Sequence, residues 1–453
     1  KDMSENKELI NGYKDFLAKG KTERECVQYL IKEAEKYGYK DIQSTEKLAP
    51  GDKVYVSKFG KAIALFNIGS DGLEKGINIL GAHIDSPRLD VKQNPLYESD
   101  FIVYLNTHYY GGIKKYQWLT LPLAIHGVVC KKDGSVVKVC IGEKEDDPVF
   151  VISDILPHLA QKQLKETAAD FIPGETLDLI LVSEIPLEAG DSSSKAEKTE
   201  KDKAKKTILN LLKEAYSIEE KDFGSAELEV VPAGLPRDLG LDRSMILAYG
   251  QDDRSCAYTS AYALFKSTAG ERTNCCLCVD KEEIGSVGAT GMASHFFENA
   301  VAELIARTGS YSELTLRRCL NNSYMLSSDV NAAYDPQHAD LYDKANASFL
   351  NGGIVFNKYT GSRGKSGASD ASPEFIAMLR NALDSANVKY QMAELGKVDQ
   401  GGGGTIAYLA AKYGMHVLDA GVSVLSMHAP WEITAKEDII QAANAYKAFL
   451  QLK

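Results

Sequence analysis

The stretch "GAHIDSPRLDVK" places His83 and Asp85 two residues apart, directly after the apolar run "INIL". Residues two apart on a strand share a face. Such a pair can supply one metal ligand and a neighbour that fixes the imidazole ring. It can equally be a buried histidine hydrogen-bonded to an aspartate for packing. Four further stretches put His, Asp or Glu just past an apolar run: "AYGQDDRSC" (Asp252, Asp253), "CLCVDKEEIGS" (Glu282, Glu283), "YMLSSDVNAAYDP" (Asp329) and "VSVLSMHAPWE" (His428). Each alone reads as a turn carboxylate or a helix cap. Together they point to one site, because strand ends converge in a doubly wound sheet. Two histidines and several carboxylates suit zinc or manganese, and two ions sharing one bridging aspartate would use them all. The pair Glu282–Glu283 is the most informative. Adjacent carboxylates repel, so a buried strand end carrying both needs a compensating cation. Neighbouring side chains also point in different directions, so one can bind a cation while the other serves water as a general base. The plainer reading is an exposed acidic turn before "GSVGATG".

The elements that must hold these residues alternate. "KVYVSKFGKAIALFNIG", "GINILGAH", "CCLCVD", "NSYMLSSDV" and "HVLDAG" read as strands. Helical spacing marks "KELINGYKDFLAKG" and "TERECVQYLIKEAEKYGY", the second capped by Thr22, then "DASPEFIAMLRNALDSA", capped by Asp370 or Ser372, and "TAKEDIIQAANAYKAFLQL", capped by Thr434. This alternation predicts an α/β layered core with a mainly parallel sheet. Between about residues 95 and 240 the character changes to β-rich segments with tight turns, such as "FIVYLNTHYYGG", "LPLAIHGVVC", "GSVVKVCIG" and "LDLILVSEIPL". There the charged stretch "DSSSKAEKTEKDKAKK" reads as an exposed loop leading into a helix. The expected organisation is a catalytic domain in two segments, 1–92 and 241–453, interrupted by an inserted domain at 93–240.

Composition excludes several function classes. The 453 residues carry a net charge of -11, which opposes binding to nucleic-acid phosphates. No apolar run reaches the roughly 20 residues of a membrane span. The opening "KDMSENKELINGYKDF" lacks the apolar stretch of a secretory signal. Cys275, Cys276 and Cys278 lie in a β-type apolar run, where cysteine acts as a small hydrophobe. A structural zinc site would need two spaced pairs. Reduced cysteines without a signal predict a cytoplasmic protein. The run Gly401–Gly404 lacks the Lys-Ser/Thr of a phosphate loop.

"GAHIDSPRLDVK", "QDDR", "DKEEIGS", "SSDVNAAYDP" and "SMHAPWE", in this order and at these separations, resemble the M18 family of aminopeptidases, over nearly the whole chain. The β-rich insertion before "QDDR" is similar to the family plan as well. The resemblance implies a zinc-exopeptidase type of catalytic domain with an inserted β-rich dimerisation domain. It implies a dinuclear enzyme that removes N-terminal residues from peptides, using two divalent ions, zinc first and manganese or cobalt possible. Asp252 would bridge the ions, His83 and Asp329 would complete one site, and Glu283 and His428 the other. Glu282 would be the general base and Asp85 the carboxylate that orients His83. The family pattern has an apolar residue before the bridging aspartate; here Gln251 stands there and Arg254 follows the second aspartate. Asp252 is taken as the bridge because related two-metal exopeptidases resemble it in that respect. The glycine run would lie beside the active site.

His158 in "SDILPHLAQKQ" lies inside the insertion. A histidine there reads most simply as a partly buried helix-start residue. M18 enzymes resemble one another in a Pro-His-Leu-Ala segment at this place, with the insertion pairing subunits and delivering the histidine into the neighbour's active site. That implies catalysis in trans within dimers that assemble into a dodecamer. The alternatives are a related co-catalytic deacylase or dipeptidase, or a non-catalytic assembly protein that keeps the fold. Lys358, Arg363 and Lys365 read either as a cation for an acidic N-terminal residue or as solvated loop charges. His108, His126, His295, His338 and His416 have no motif around them.

Overall fold

The computed structural model describes residues 3–183 and 203–453. It divides into two compact units, Lys1–Ser86 with Pro236–Lys453, and Pro87–Leu235.

Among the described residues, the first unit is built on a nine-stranded sheet. Its inner strands, in spatial order Thr273–Val279, Ile77–His83, Tyr324–Ser327 and His416–Gly421, are all parallel. Antiparallel pairs flank them, between Ala62–Asn67 and Thr273–Val279 on one side and between Ile354–Asn357 and His416–Gly421 on the other. The sheet is therefore mixed, with a parallel centre. Successive residues of the inner strands alternate between two apolar cores. Leu80, Ala82, Cys276 and Cys278 face a core shared with the helices Met3–Lys19, Glu23–Lys36, Gln251–Phe265, Pro373–Ser385 and Lys436–Phe449. Ile77, Ile79, Cys275, Leu277 and Val279 face the other, shared with Phe296–Thr308, Glu313–Asn321 and Ala407–Ala411. Burial on both faces is why these strands read as unbroken apolar runs. The three clustered cysteines are free and fully buried, as small hydrophobes.

Thr22 caps Glu23–Lys36 in a reciprocal pair with Glu25, and Ser372 rather than Asp370 caps Pro373–Ser385. The expected cap of the last helix is corrected. Thr434 lies inside the strand Glu432–Ala435, whose pairing with Met245–Ala248 runs through Ala435, so the helix starts one residue later without a side-chain cap. That strand belongs to a second, five-stranded sheet of the first unit, in the order Arg237–Leu239, Met245–Ala248, Glu432–Ala435, Ser423–Leu425 and Asn331–Ala332.

Among the described residues, the second unit holds a six-stranded antiparallel sheet: Val136–Ile141, Leu123–Cys130, Ala226–Pro232, Arg88–Ser99, Ile102–Tyr110 and Leu179–Ser183. Helix Lys203–Tyr216 follows. The loop expected before it, and the far end of "LDLILVSEIPL", lie outside the described residues. Among the described residues no helix is long and apolar enough to cross a membrane.

Candidate metal centre

Seven of the eight site residues expected from the sequence come from the first unit, and they are delivered by two sheets rather than one. Ile77–His83 ends on His83; its neighbours Thr273–Val279 and Tyr324–Ser327 lead to Glu282–Glu283 and to Asp329. Asp252 and His428 come from the five-stranded sheet. Met245–Ala248 leads to the first turn of the helix Gln251–Phe265, which carries Asp252, and Ser423–Leu425 precedes the turn of His428. The expectation of a single doubly wound sheet is corrected here. Strand ends in one sheet sit in a row about 4.8 Å apart, so a compact cluster draws on a second sheet.

Tight backbone turns the ligands inward. Lys281 and Gly285 bracket the short turn Glu282–Ile284 at φ of 70° and 99°, and Ser426 and His428 take φ of 57° and 65°. Non-glycine residues at positive φ are uncommon and cluster at functional sites.

The side chains then converge. His83 Nε2 lies 3.2 Å from Asp252 Oδ1, 3.8 Å from Glu282 Oε2 and 3.9 Å from Asp329 Oδ1. His428 Nε2 lies 3.1 Å from Asp252 Oδ2 and 3.4 Å from Glu283 Oε2. Each carboxylate oxygen of Asp252 thus faces a different histidine. Two overlapping ligand sets result, His83–Asp252–Asp329 and Asp252–Glu283–His428, the ligand atoms of each within 4.8 Å of one another. His83 with Glu282 and Glu283 forms a third such group.

Electrostatics favours cations at this place. Burial pushes the Glu282 carboxyl up to about 7, with Asp85 and Asp252 adding to it against the two histidines. Burial likewise raises Glu283 and Asp329 well above the usual carboxylate range, Asp252 reinforcing it at Glu283 and Asp253 at Asp329. Asp252 shifts the other way: burial opposes its charge, but His428 and His83 hold its carboxyl well below the usual range. Burial also opposes a charged His83, yet Asp252 and Asp85 hold that imidazole well above its ordinary value. Without a further positive charge the carboxyl groups of Glu282, Glu283 and Asp329 favour their neutral forms, and a bound cation would favour the charged ones. The buried Oε1 of Glu283 has no hydrogen-bond partner and is free to ligate. This oxygen- and imidazole-rich donor set fits divalent cations.

A second layer of groups holds the ligands. Asp85 accepts the main-chain N–H of Glu282 at 3.2 Å and of Glu283 at 3.1 Å, and its Oδ1 lies 3.3 Å from His83 Nδ1. The buried Asp253 accepts the His83 N–H at 3.3 Å, so it supports the cluster from behind while Asp252 enters it. Gln251, where the family pattern is apolar, is fully buried. Its side chain accepts from Tyr13 and Thr434 hydroxyls and donates to the carbonyls of Ile246 and Glu432. Glu432, which ends "SMHAPWE" and had no role read from the sequence, opens the strand Glu432–Ala435. It is 1 % exposed and accepts the main-chain N–H of both Asp252 and His428.

With this geometry in view, comparison with known families is decisive: the model of "Aminopeptidase I zinc metalloprotease (M18)" matches residues 16–450. The chain belongs to the M18 family. Its members are metallo-hydrolases acting on peptides, and the chain is an enzyme of that class. A probable M18 family aminopeptidase 1 of Clostridium acetobutylicum is 57% identical, covering 99% of this chain and 96% of its own. The crystal structure of an M18 aminopeptidase from Thermotoga maritima matches with a TM-score of 0.93 at 42% identity, covering 100% of this chain and 97% of that one. The mApe1 dodecamer of S. cerevisiae has a TM-score of 0.75 at 21% identity, covering 97% and 96%, and shares the M18 fold.

The remaining predicted positions are exposed. His158 stands exposed in the short turn Pro157–Leu159 of the second unit, not partly buried at a helix start. Lys358, Arg363 and Lys365 are exposed, and Lys365 lies over the Tyr359 ring and 3.3 Å from Asp370.

Proposed function

We propose that the chain is a dinuclear aminopeptidase that hydrolyses the N-terminal residue from peptides. The observation that carries this reading is the division of Asp252 between His83 and His428, one carboxylate oxygen to each. In this reading Asp252 would be shared by two zinc ions, for which manganese or cobalt could substitute; His83 and Asp329 would hold one, Glu283 and His428 the other. When bound, the ions supply Lewis acidity, which brings the pKa of water toward neutrality and polarises a carbonyl. Glu282 takes the proton of the attacking water and hands it to the leaving amine. Asp85 holds the Glu282 and Glu283 amides and the His83 ring together, which keeps base and ligands in register.

Catalysis belongs to the segments expected as 1–92 and 241–453, which the compact units bound at Ser86 and Pro236, and the insertion expected as 93–240 pairs subunits. His158 donates a hydrogen bond to the developing oxyanion in the neighbour's site. In support, His158 is flanked by exposed Ile155, Leu156 and Leu159, a surface suited to a partner. The dimers assemble as the yeast relative does, into a dodecamer. Eight free cysteines are compatible with the reducing cytoplasm, where we place the protein.

The test is a panel of chromogenic aminoacyl substrates and peptides, before and after chelation and after restoring zinc, manganese or cobalt. The expected result is metal-dependent release of single N-terminal residues from peptides of several lengths. Cleavage of N-acetylated peptides, or of dipeptides alone, would overturn the aminopeptidase reading.

A further inference from the structure

Besides Asp253 behind His83, two buried carboxylates brace the candidate ligands, and of these only Asp85 was expected. Asp85 secures the side of His83, Glu282 and Glu283. On the other side stands Glu432. Its Oε2 accepts the Asp252 N–H at 3.0 Å, and its Oε1 accepts the His428 N–H at 2.8 Å. One carboxylate therefore ties together the main chains of two ligands that arrive from different elements: the first turn of a helix, and a turn with His428 at φ 65°. Glu432 is itself fixed from two directions. It opens the strand Glu432–Ala435, where it pairs with Ala248, and its carbonyl accepts Gln251 Nε2 at 2.7 Å. These contacts explain why a polar Gln251 precedes Asp252: its amide links the ligand-bearing turn to the strand that carries Glu432.

We propose that Glu432 is a positioning residue that sets the spacing between Asp252 and His428 and thereby the affinity of the Asp252–Glu283–His428 site for its ion. This deepens the two-ion reading and rests on it. The other site depends less on Glu432. It shares only Asp252, whose carbonyl is separately held by the Ser86 hydroxyl at 2.8 Å, and its His83 is braced by Asp85.

Replacing Glu432 by glutamine keeps the shape but leaves one acceptor where two amides need one each, with an NH2 group facing the second. The same double-amide arrangement occurs at Asp438 in the first turn of the helix Lys436–Phe449: its carboxylate accepts the N–H of Asn351 and of Gly353 at 2.8 Å each, neither of them a candidate ligand. Asp438→Asn is therefore a control for the purely structural consequence of losing such a clamp.

The experiment is zinc titration of the metal-free full chain against a chromophoric competitor, with thermal melting in parallel. Wild type is expected to bind two ions. Glu432→Gln should weaken one of them by about 10- to 100-fold, the usual effect of removing a group that orients a ligand, and leave the other unchanged. In an Asp329→Ala background, which retains mainly the Glu283–His428 site, Glu432→Gln should weaken the remaining ion by the same factor. Asp438→Asn should change melting but neither affinity. Wild-type affinity at both sites of Glu432→Gln would overturn the inference, and so would equal weakening at both sites matched by Asp438→Asn. A wild-type chain that binds fewer than two ions would instead sink the two-ion reading, and the inference with it.

Discussion

The residues expected to act stand in different surroundings in the two units. Those of the first lie among buried charge: Asp85 and Asp253 are wholly inaccessible, and Glu432 is 1 % exposed. His158 of the second lies close in sequence to exposed hydrocarbon: Leu159 is 68 % and Leu164 77 % accessible. Buried charges and clustered exposed apolar side chains are the two informative exceptions to normal burial. Each costs stability, and each points to something that offsets the cost. In the proposed reading the compensation is cations in the first unit and another protein surface in the second. We therefore read the first unit as the site of chemistry and the second as the site of association.

The largest effect should come from Asp252→Ala. If this carboxylate serves both ion sites, the variant loses both ions, and its activity falls by at least about 10⁴-fold, as removal of a whole catalytic constellation does. Asp329→Ala should empty mainly the site it shares with His83. Elemental analysis alongside kcat separates the two outcomes. Loss of only one ion from Asp252→Ala would break the view of a single bridged cluster.

Glu282→Gln should lower kcat by about 10²- to 10⁴-fold, the range for a general base, while both ions stay bound. Activity retained with the ions in place would remove Glu282 from the chemistry. The second unit is tested by His158→Phe, expected to lower kcat by about 10²- to 10³-fold, as for loss of an oxyanion donor. Mixing His158→Phe with Glu282→Gln chains, under conditions that exchange subunits, should restore part of the activity. No recovery despite demonstrated exchange would confine each site to its own chain.

The smallest effect concerns a buried charge of the first unit outside the ligand sets. Burial raises the Asp419 carboxyl from 3.8 to about 6, opposed by hydrogen bonds from the Thr405 and Ser327 hydroxyls. Its folded value lies above its unfolded one, so its contribution to stability is complete below about pH 4 and is lost as pH rises to about 6. Asp419→Asn lacks this dependence. Its melting temperature relative to wild type should rise between pH 4 and 6 and then level off, by at most about 3 kcal/mol of stability. A constant difference across that range would show that Asp419 titrates normally.

Much of the first unit was legible because its central strands are buried on both faces, which makes "INIL" and "CCLCV" continuous apolar runs. The candidate ligands His83, Glu283 and Asp329, and Glu282 beside them, were legible because each follows such a run. The second sheet was not. Met245–Ala248 and Ser423–Leu425 are too short to show a period, so Asp252 and His428 read as further ends of the same sheet. Thr434 resembled a cap because it is a polar residue preceding "AKED", but strand pairing holds it until the helix begins. Glu432 was invisible as a brace because one of its partners, Asp252, is remote in sequence and both bonds are made to main-chain amides. In the second unit, the exposure of Leu159 and Leu164 depends on tertiary packing that their local sequence does not encode.

The most direct test of the account is anomalous diffraction from crystals of the zinc-loaded protein, recorded on both sides of the metal edge. The account predicts two peaks about 3.5 Å apart, with one carboxylate oxygen of Asp252 on each, His83 and Asp329 on the first ion and Glu283 and His428 on the second. A single peak, or two peaks of which Asp252 touches only one, would contradict it.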